Sequence, residues 1–265
     1  MTTSAAAVRR RYVDVAYGQI HVAEAGHGPA LLCLHQTPRS WDEFREIIAL
    51  LAGELHVIAI DLPGMGASDP LPGDASIEGY AAAVLAVADA LGLDRFHVCG
   101  HHTGGVVAVE LAAGTPERVL SLVLSSTPWV DDAARRARRA TPPPVDVATH
   151  DAGGGHLTAL WEQRSRHYPP GYALLDRYLI DALRARDSAE GHIAVGNYEM
   201  ERRSPLVRCP VLVIEHAADP FATRHTAALA ERFRPAAVVS IEGGAIALEH
   251  SAAQVARAVG AFVRP

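Results

Sequence analysis

The stretch Val98–Leu111, VCGHHTGGVVAVEL, decides how the chain is read. Its apolar start continues the run FHVCG, glycines stand at 100 and 104, and apolar residues at helical spacing follow. A buried strand that turns sharply into a helix has this form. His102 stands at the centre of the turn, where a side chain projects from the end of a strand. The glycines are not a phosphate loop, because no Gly-Lys-Ser/Thr follows them. They are not a dinucleotide site either, because no acidic residue ends the next strand-like run, VLSLVLSS.

Outward from this turn, ALLCLH, HVIAI, PVLVIEH and AVVSIE are further continuous apolar runs, the pattern of parallel strands buried on both faces. YVDVAYG and IHVAEA alternate apolar and polar residues, which predicts an antiparallel hairpin at a sheet edge. Ser40-Trp41-Asp42-Glu43 reads as a capping box opening a helix. Ser76 to Leu91 repeats the helical pattern, with Gly92 as its stop, and His102 to Ala113 and Gln254 to Val263 are further helices. Strand and helix alternation on this scale predicts an α/β fold: a mostly parallel twisted sheet flanked by helices. The alternation breaks over 128–204, which holds RRARR, TPPP, GGG and YPPG. The expected organisation is a core of residues 1–127 and 205–265, with 128–204 as an inserted helical cap. RRARR reads first as a solvated helix face and second as an anion site.

The chain has 265 residues, 49% of them hydrophobic, and a formal net charge of -6. Mild acidity argues against a nucleic-acid partner. No apolar run approaches the roughly 20 residues of a membrane helix, and the first residues lack a signal-peptide core. Cys33, Cys99 and Cys209 lie in apolar runs and read as buried thiols. These features predict a cytoplasmic protein with a small-molecule partner, not a membrane one; they say nothing of oligomeric state.

In a parallel sheet the chemistry sits at the carboxyl ends of the strands. The loops there are LHQTPRSW, DLPGMGASDP, GHHTGG and IEHAADPF. With TPERVLSLVLSS and LEHSAAQVARAVGAFV, they resemble the α/β-hydrolase superfamily, in its capped esterase, dehalogenase and C–C hydrolase branch. The resemblance implies an enzyme, a hydrolase by default, with an oxyanion hole made by the N–H groups of Thr37 and Thr103. It implies that Asp219 is the acid of the triad. It also exposes two departures: His102 stands where the nucleophile belongs, and Gly244 stands where the triad histidine belongs. Losing either residue costs a serine hydrolase on the order of a million-fold, so acyl-enzyme chemistry is not expected.

The two departures are complementary. Gly244 leaves a volume empty, and an imidazole at His102 faces it from the opposite wall. A His102–Asp219 dyad would then act as a general base without a cofactor or a metal. Such a base activates water for hydrolysis. It equally removes a proton from carbon, as in a lyase, isomerase or cyclase. A third reading is a binding protein that kept the pocket and lost its chemistry. Gln36, Trp129 and His216 are candidate substrate contacts; His35 and His101 read as structural. The aromatic residues of 128–204 suggest a small, partly apolar substrate.

Overall fold

A computed structural model describes residues 7–140, 152–169, 171–244 and 246–264. Eight strands form one sheet: β1 (Arg9–Val15), β2 (Gly18–Ala25), β3 (Ala30–Leu34), β4 (His56–Ile60), β5 (Phe96–His101), β6 (Val119–Ser125), β7 (Val211–His216) and β8 (Ala236–Ile241). Their order is β1-β2-β4-β3-β5-β6-β7-β8. β1 and β2 form the edge hairpin, Arg9 opposite Glu24 through Val15 opposite Gly18, and β2 joins β4 antiparallel. The remaining pairs are parallel.

Helices α1 (Arg45–Leu51), α2 (Ile77–Ala90) and α3 (Thr103–Gly114) lie in the first half of the chain. Between β6 and β7 the described residues form α4 (Asp132–Ala140), α5 (Gly155–Ser165), α6 (Ala173–Arg184), α7 (Glu190–Asn197) and α8 (Met200–Arg203). α9 (Thr226–Arg232) joins β7 to β8, and α10 (Ala247–His250) and α11 (Ala252–Val263) close the described chain. The TPPP segment lies outside the described residues. Among the described residues no helix is long and apolar enough to cross a membrane.

The alternation of side chains along each strand builds two apolar layers. Leu32, Leu34, Ile58 and Ile60 pack with Val84, Val87 and Val106 of α2 and α3. Leu31, Cys33, Val57 and Ala59 pack on the other face with Ile47, Ile48, Val255 and Val259 of α1 and α11. Each fully buried aliphatic side chain is worth about 1.5–3 kcal/mol, which holds the carboxyl ends of β3, β5 and β7 at fixed spacing. Ser76 caps α2 by accepting from Gly79 N–H at 3.0 Å, and Gly92, at φ 69°, ends it.

The expected capping box at Ser40 takes another form. Trp41–Phe44 is a 3-10 turn ahead of α1, and Ser40 Oγ accepts from Asp42 N–H at 3.3 Å. Glu43 does not return to the backbone of Ser40. It is fully buried and accepts from the backbone N–H of Gln36 at 2.9 Å and from its side-chain amide at 2.5 Å. Those two donors beneath the loop would otherwise be buried without a partner.

Helices α5 and α6 make a small core of their own from Leu160, Leu175, Tyr178 and Ala182. Polar contacts join α6 to the sheet. Arg39, fully buried, donates to Asp181 of α6 at 2.9 Å and to Glu249 at 2.8 Å. Ser40 Oγ donates to the other oxygen of Asp181 at 2.8 Å. Arg177 of α6 reaches Asp42 and, at 2.8 Å, Glu46.

Candidate active site

β5 ends at His101 and α3 begins at Thr103, so His102 alone makes the turn, at φ 45° and ψ -112°. A non-glycine residue pays on the order of 1–3 kcal/mol for such a conformation, and it persists only where neighbours enforce it. Here His102 N–H donates to Ser125 C=O at 3.1 Å, and His102 C=O accepts from Gly105 N–H at 3.0 Å. A Cβ on Gly100 would strike the backbone of Gly104, and one on Gly104 would strike the carbonyl of Leu34. The two glycines therefore let α3 lie directly on β5 and β3.

His102 Nε2 lies 2.8 Å from Asp219 Oδ2, with the imidazole 14% exposed and the carboxylate fully buried. The pair is in close polar contact, although its angle falls short of a hydrogen bond. Asp219, on the loop after β7, also accepts from Phe221 N–H at 2.8 Å. Burial opposes ionisation of this carboxyl, but the facing imidazole overrides it, and Asp219 is held well below the usual carboxylate range. With Nε2 turned to the carboxylate, Nδ1 is the ring nitrogen left for chemistry.

His101 and His216 lie behind the pair. Ser125 Oγ bridges them, 3.0 Å from His101 Nδ1 and 2.9 Å from His216 Nε2, and all three residues are fully buried. Burial and neighbouring imidazoles hold His101 neutral. Burial pushes His216 down to about 4. His216 is thus packed beneath the site and does not line the cavity, which differs from its reading as a substrate contact. Its place on the last residue of β7, pointing under β6, is the cause. His35 is also structural: Nδ1 is 2.8 Å from Gln36 C=O, and Nε2 accepts from Leu62 N–H at 2.9 Å.

The cavity has a volume of about 280 Å³. Gln36, Thr37, His102 and Thr103 line its sheet side. The N–H groups of Thr37 and Thr103 donate to nothing among the described residues. Thr37 Oγ1 is also buried without a partner, and α7 covers it so closely that a Cβ on Gly191 would collide with it. A Cβ on Gly244 would meet only the carbonyl of Ala218, at 3.4 Å, so a side chain has room there. Among the described residues no three His, Cys, Asp or Glu side chains group as a metal site.

Trp129 departs from its reading as a pocket residue. It is buried, its Nε1 donates to Asp131 at 3.0 Å, and Arg232 stacks on its ring. Of the aromatic residues in the insertion, His167 and Tyr168 reach the cavity, while Tyr198 belongs to the core. The residues missed by the sequence reading are arginines: Arg138, Arg164 and Arg224 all line the cavity. RRARR is not a wholly solvated face. Arg135 is buried against Glu201, at 2.5 Å and 2.8 Å, and Arg138, three residues on, shares its inward side. The i, i+3 spacing was the available signal.

The buried charges predict how stability varies with pH. Burial, with Glu43 adding to it, pushes Glu249 up to about 7 against the pull of Arg39. A raised carboxyl binds its proton more tightly when folded. Its contribution is complete below its ordinary value of 4.5 and is lost as pH rises through about 7. His216 acts oppositely: its contribution is complete above its ordinary 6.5 and is lost as pH falls towards about 4. The two oppose one another in between, which flattens the pH dependence. Glu249→Gln removes one side of this balance. Urea unfolding of that variant between pH 6.5 and 4.5 is expected to lose stability on acidification by about 1.4 kcal/mol per pH unit more than the parent. An unchanged slope rejects the assignment.

Residues 29–143 match the family model described as alpha/beta hydrolase fold. A fluoroacetate dehalogenase from Burkholderia sp is 36% identical over 120 residues, which is 43% of this chain and 40% of that protein. Haloalkane dehalogenase 2 of Mycobacterium tuberculosis is 33% identical over 144 residues, 52% of this chain and 50% of that one. The chain thus spans half or less of the length of these relatives. A crystal structure of a hydrolase from Pseudomonas aeruginosa PA01 superposes with a TM-score of 0.81 at 21% identity, covering 97% of this chain and 98% of that one. Sheet order, elbow and family match agree: the chain is built on the α/β-hydrolase fold.

Proposed function

We propose that the protein is a cofactor-independent enzyme that hydrolyses a small organic substrate, with His102 as general base and no covalent intermediate. Residues 128–204 act as its cap. The observation that carries this reading is the 2.8 Å approach of His102 Nε2 to Asp219 at the wall of the cavity. Asp219 orients the ring and balances the charge it acquires. Nδ1 takes a proton from water, and the oxygen of that water bonds to the electrophilic carbon. The N–H groups of Thr37 and Thr103 receive the oxyanion. Its collapse breaks the bond to the leaving group, which takes the proton back from His102. The hydrolase names of the relatives favour this reaction class.

The same base and the same N–H pair suit proton removal from carbon with an enolate held at Thr37 and Thr103. The elbow favours this second reading to the extent that it carries no nucleophile of the usual kind. Both readings need His102.

A fluorophosphonate probe separates them from serine chemistry. No labelling is expected of the native protein under conditions in which it turns over substrate. His102→Ser combined with Gly244→His places hydroxyl and imidazole in the family's positions, in the room beside Ala218. That double variant is expected to label. Stoichiometric labelling of the native protein at Ser125 or Ser126 sinks the proposal.

A further inference from the structure

We infer that the substrate is a small organic acid whose carboxylate is held by Arg138 and Arg224 in the cavity that contains His102. The inference rests on that cavity being the substrate site, and it adds the chemical class that the site takes.

Arginines elsewhere in the molecule show what a satisfied guanidinium looks like here. Arg39 meets Asp181 and Glu249, Arg135 meets Glu201, Arg203 meets Glu110, and Arg177 meets Asp42 and Glu46. The cavity breaks the pattern. Arg138 and Arg224 both line it, no Asp or Glu is among its described lining residues, and neither arginine has a carboxylate partner among the described residues, Arg224 Nε donating instead to His225 Nε2 at 3.2 Å. The chain as a whole is acidic, with a net charge of -6, so this concentration of positive charge is local.

The two cations come from different elements. Arg138 is half-buried on α4, its stem in reach of Gly196 of α7, where an added Cβ would lie 3.8 Å from Cδ. Arg224 is exposed on the 3-10 turn Thr223–His225, beyond Asp219. Arg138 feels Arg224. Burial lowers the proton affinity of Arg138, and Arg224 lowers it further. The adjacent His225 is pushed down to about 4, by burial first and then by Arg224 and Arg138. Like charges gathered at a cavity without a counter-ion favour an anionic occupant.

The lining also fixes what the rest of the ligand is. Tyr168, Val195, Phe221 and Ile246 supply carbon surface. A volume of about 280 Å³ lies just under the range of drug-sized pockets, about 300–1,000 Å³. A short acid fits such a volume.

The test compares isosteric acid and amide pairs, butyrate with butyramide and glutarate with glutaramide. Binding is measured by calorimetry on the full chain at fixed ionic strength. The parent protein is expected to bind each acid at least about 10-fold more tightly than its amide. Arg138→Gln and Arg224→Gln should each cut that preference by about 10-fold, and the double variant should abolish it. His102→Ala should keep the preference, so a failure of the catalytic reading and a failure of this one are told apart. Removing one of two repelling charges should leave the melting temperature of the unliganded variants equal to or above that of the parent. Equal binding of acid and amide overturns the inference. So does an undiminished preference in the double variant, or sulfate or phosphate binding as tightly as the best acid.

Discussion

Replacing His102 with alanine is expected to lower turnover by about 10²- to 10⁴-fold, the usual worth of a positioned imidazole base. Three observations together support this loss. The residue lines the cavity, its Nε2 faces a fully buried carboxylate at 2.8 Å, and two unused backbone N–H groups stand beside it. Asp219→Asn should cost a comparable factor, because an amide neither orients the ring as an N–H donor nor balances its charge. The double variant should be hardly slower than either single one, since groups that act as a unit are not additive. Stability separates the two single variants. His102→Ala leaves the buried Asp219 carboxylate without the imidazole that faces it, so it should melt lower than His102→Ala combined with Asp219→Asn. Steady-state kinetics and thermal unfolding of the four proteins check this. Full turnover in His102→Ala refutes the mechanism outright.

The largest loss of stability is expected at Arg39. The side chain is fully buried and is held by carboxylates from three parts of the chain: Asp181 of α6, Glu249 of α10, and Glu43 at 3.6 Å. Methionine has a similar reach and no charge. Arg39→Met therefore leaves Asp181, Glu249 and Glu43 facing one another in the interior. Breaking a buried pair from one side costs about 3–5 kcal/mol. Part of that cost is escaped by protonation, since Glu43 and Glu249 are already raised. The variant should therefore be least stable at high pH. Adding Glu249→Gln and Asp181→Asn should recover most of the loss, since a neutral site of the same shape has no charge to desolvate. Urea titration with far-ultraviolet circular dichroism measures each step. A stability change under 1 kcal/mol would show that the cluster is hydrated and its charges unimportant.

The sheet was legible because its strands are short, apolar and separated by turn residues. β3, β4, β5 and β7 are almost wholly buried, and that is written in ALLCL, HVIAI, FHVCGH and VLVIEH as mostly apolar runs. The elbow was legible because Gly100 and Gly104 mark a close approach of backbones. The histidines were harder. His101, His102 and His216 carry the same side chain within 5.8 Å ring to ring, and only burial separates the one at the cavity wall from the two beneath it. A sequence does not print which face of a strand end a ring occupies. The arginines were harder still. Arg135, Arg136 and Arg138 sit in one basic run, yet one is paired in the interior, one is on the surface and one lines the cavity. That division depends on where α4 lies against α7, which is tertiary information.

Glycine at 191 has a consequence for anyone who would re-engineer selectivity by exchanging the helical insertion for that of a relative. α7 rests directly on Thr37, with no space for even a methyl group between them. A transplanted segment with any larger residue at that point would press on the residue to which the proposed mechanism assigns the developing negative charge. The insertion and the Thr37 loop form one fitted joint, so, on the proposed mechanism, a graft designed only to change which molecules enter would also change how fast they react.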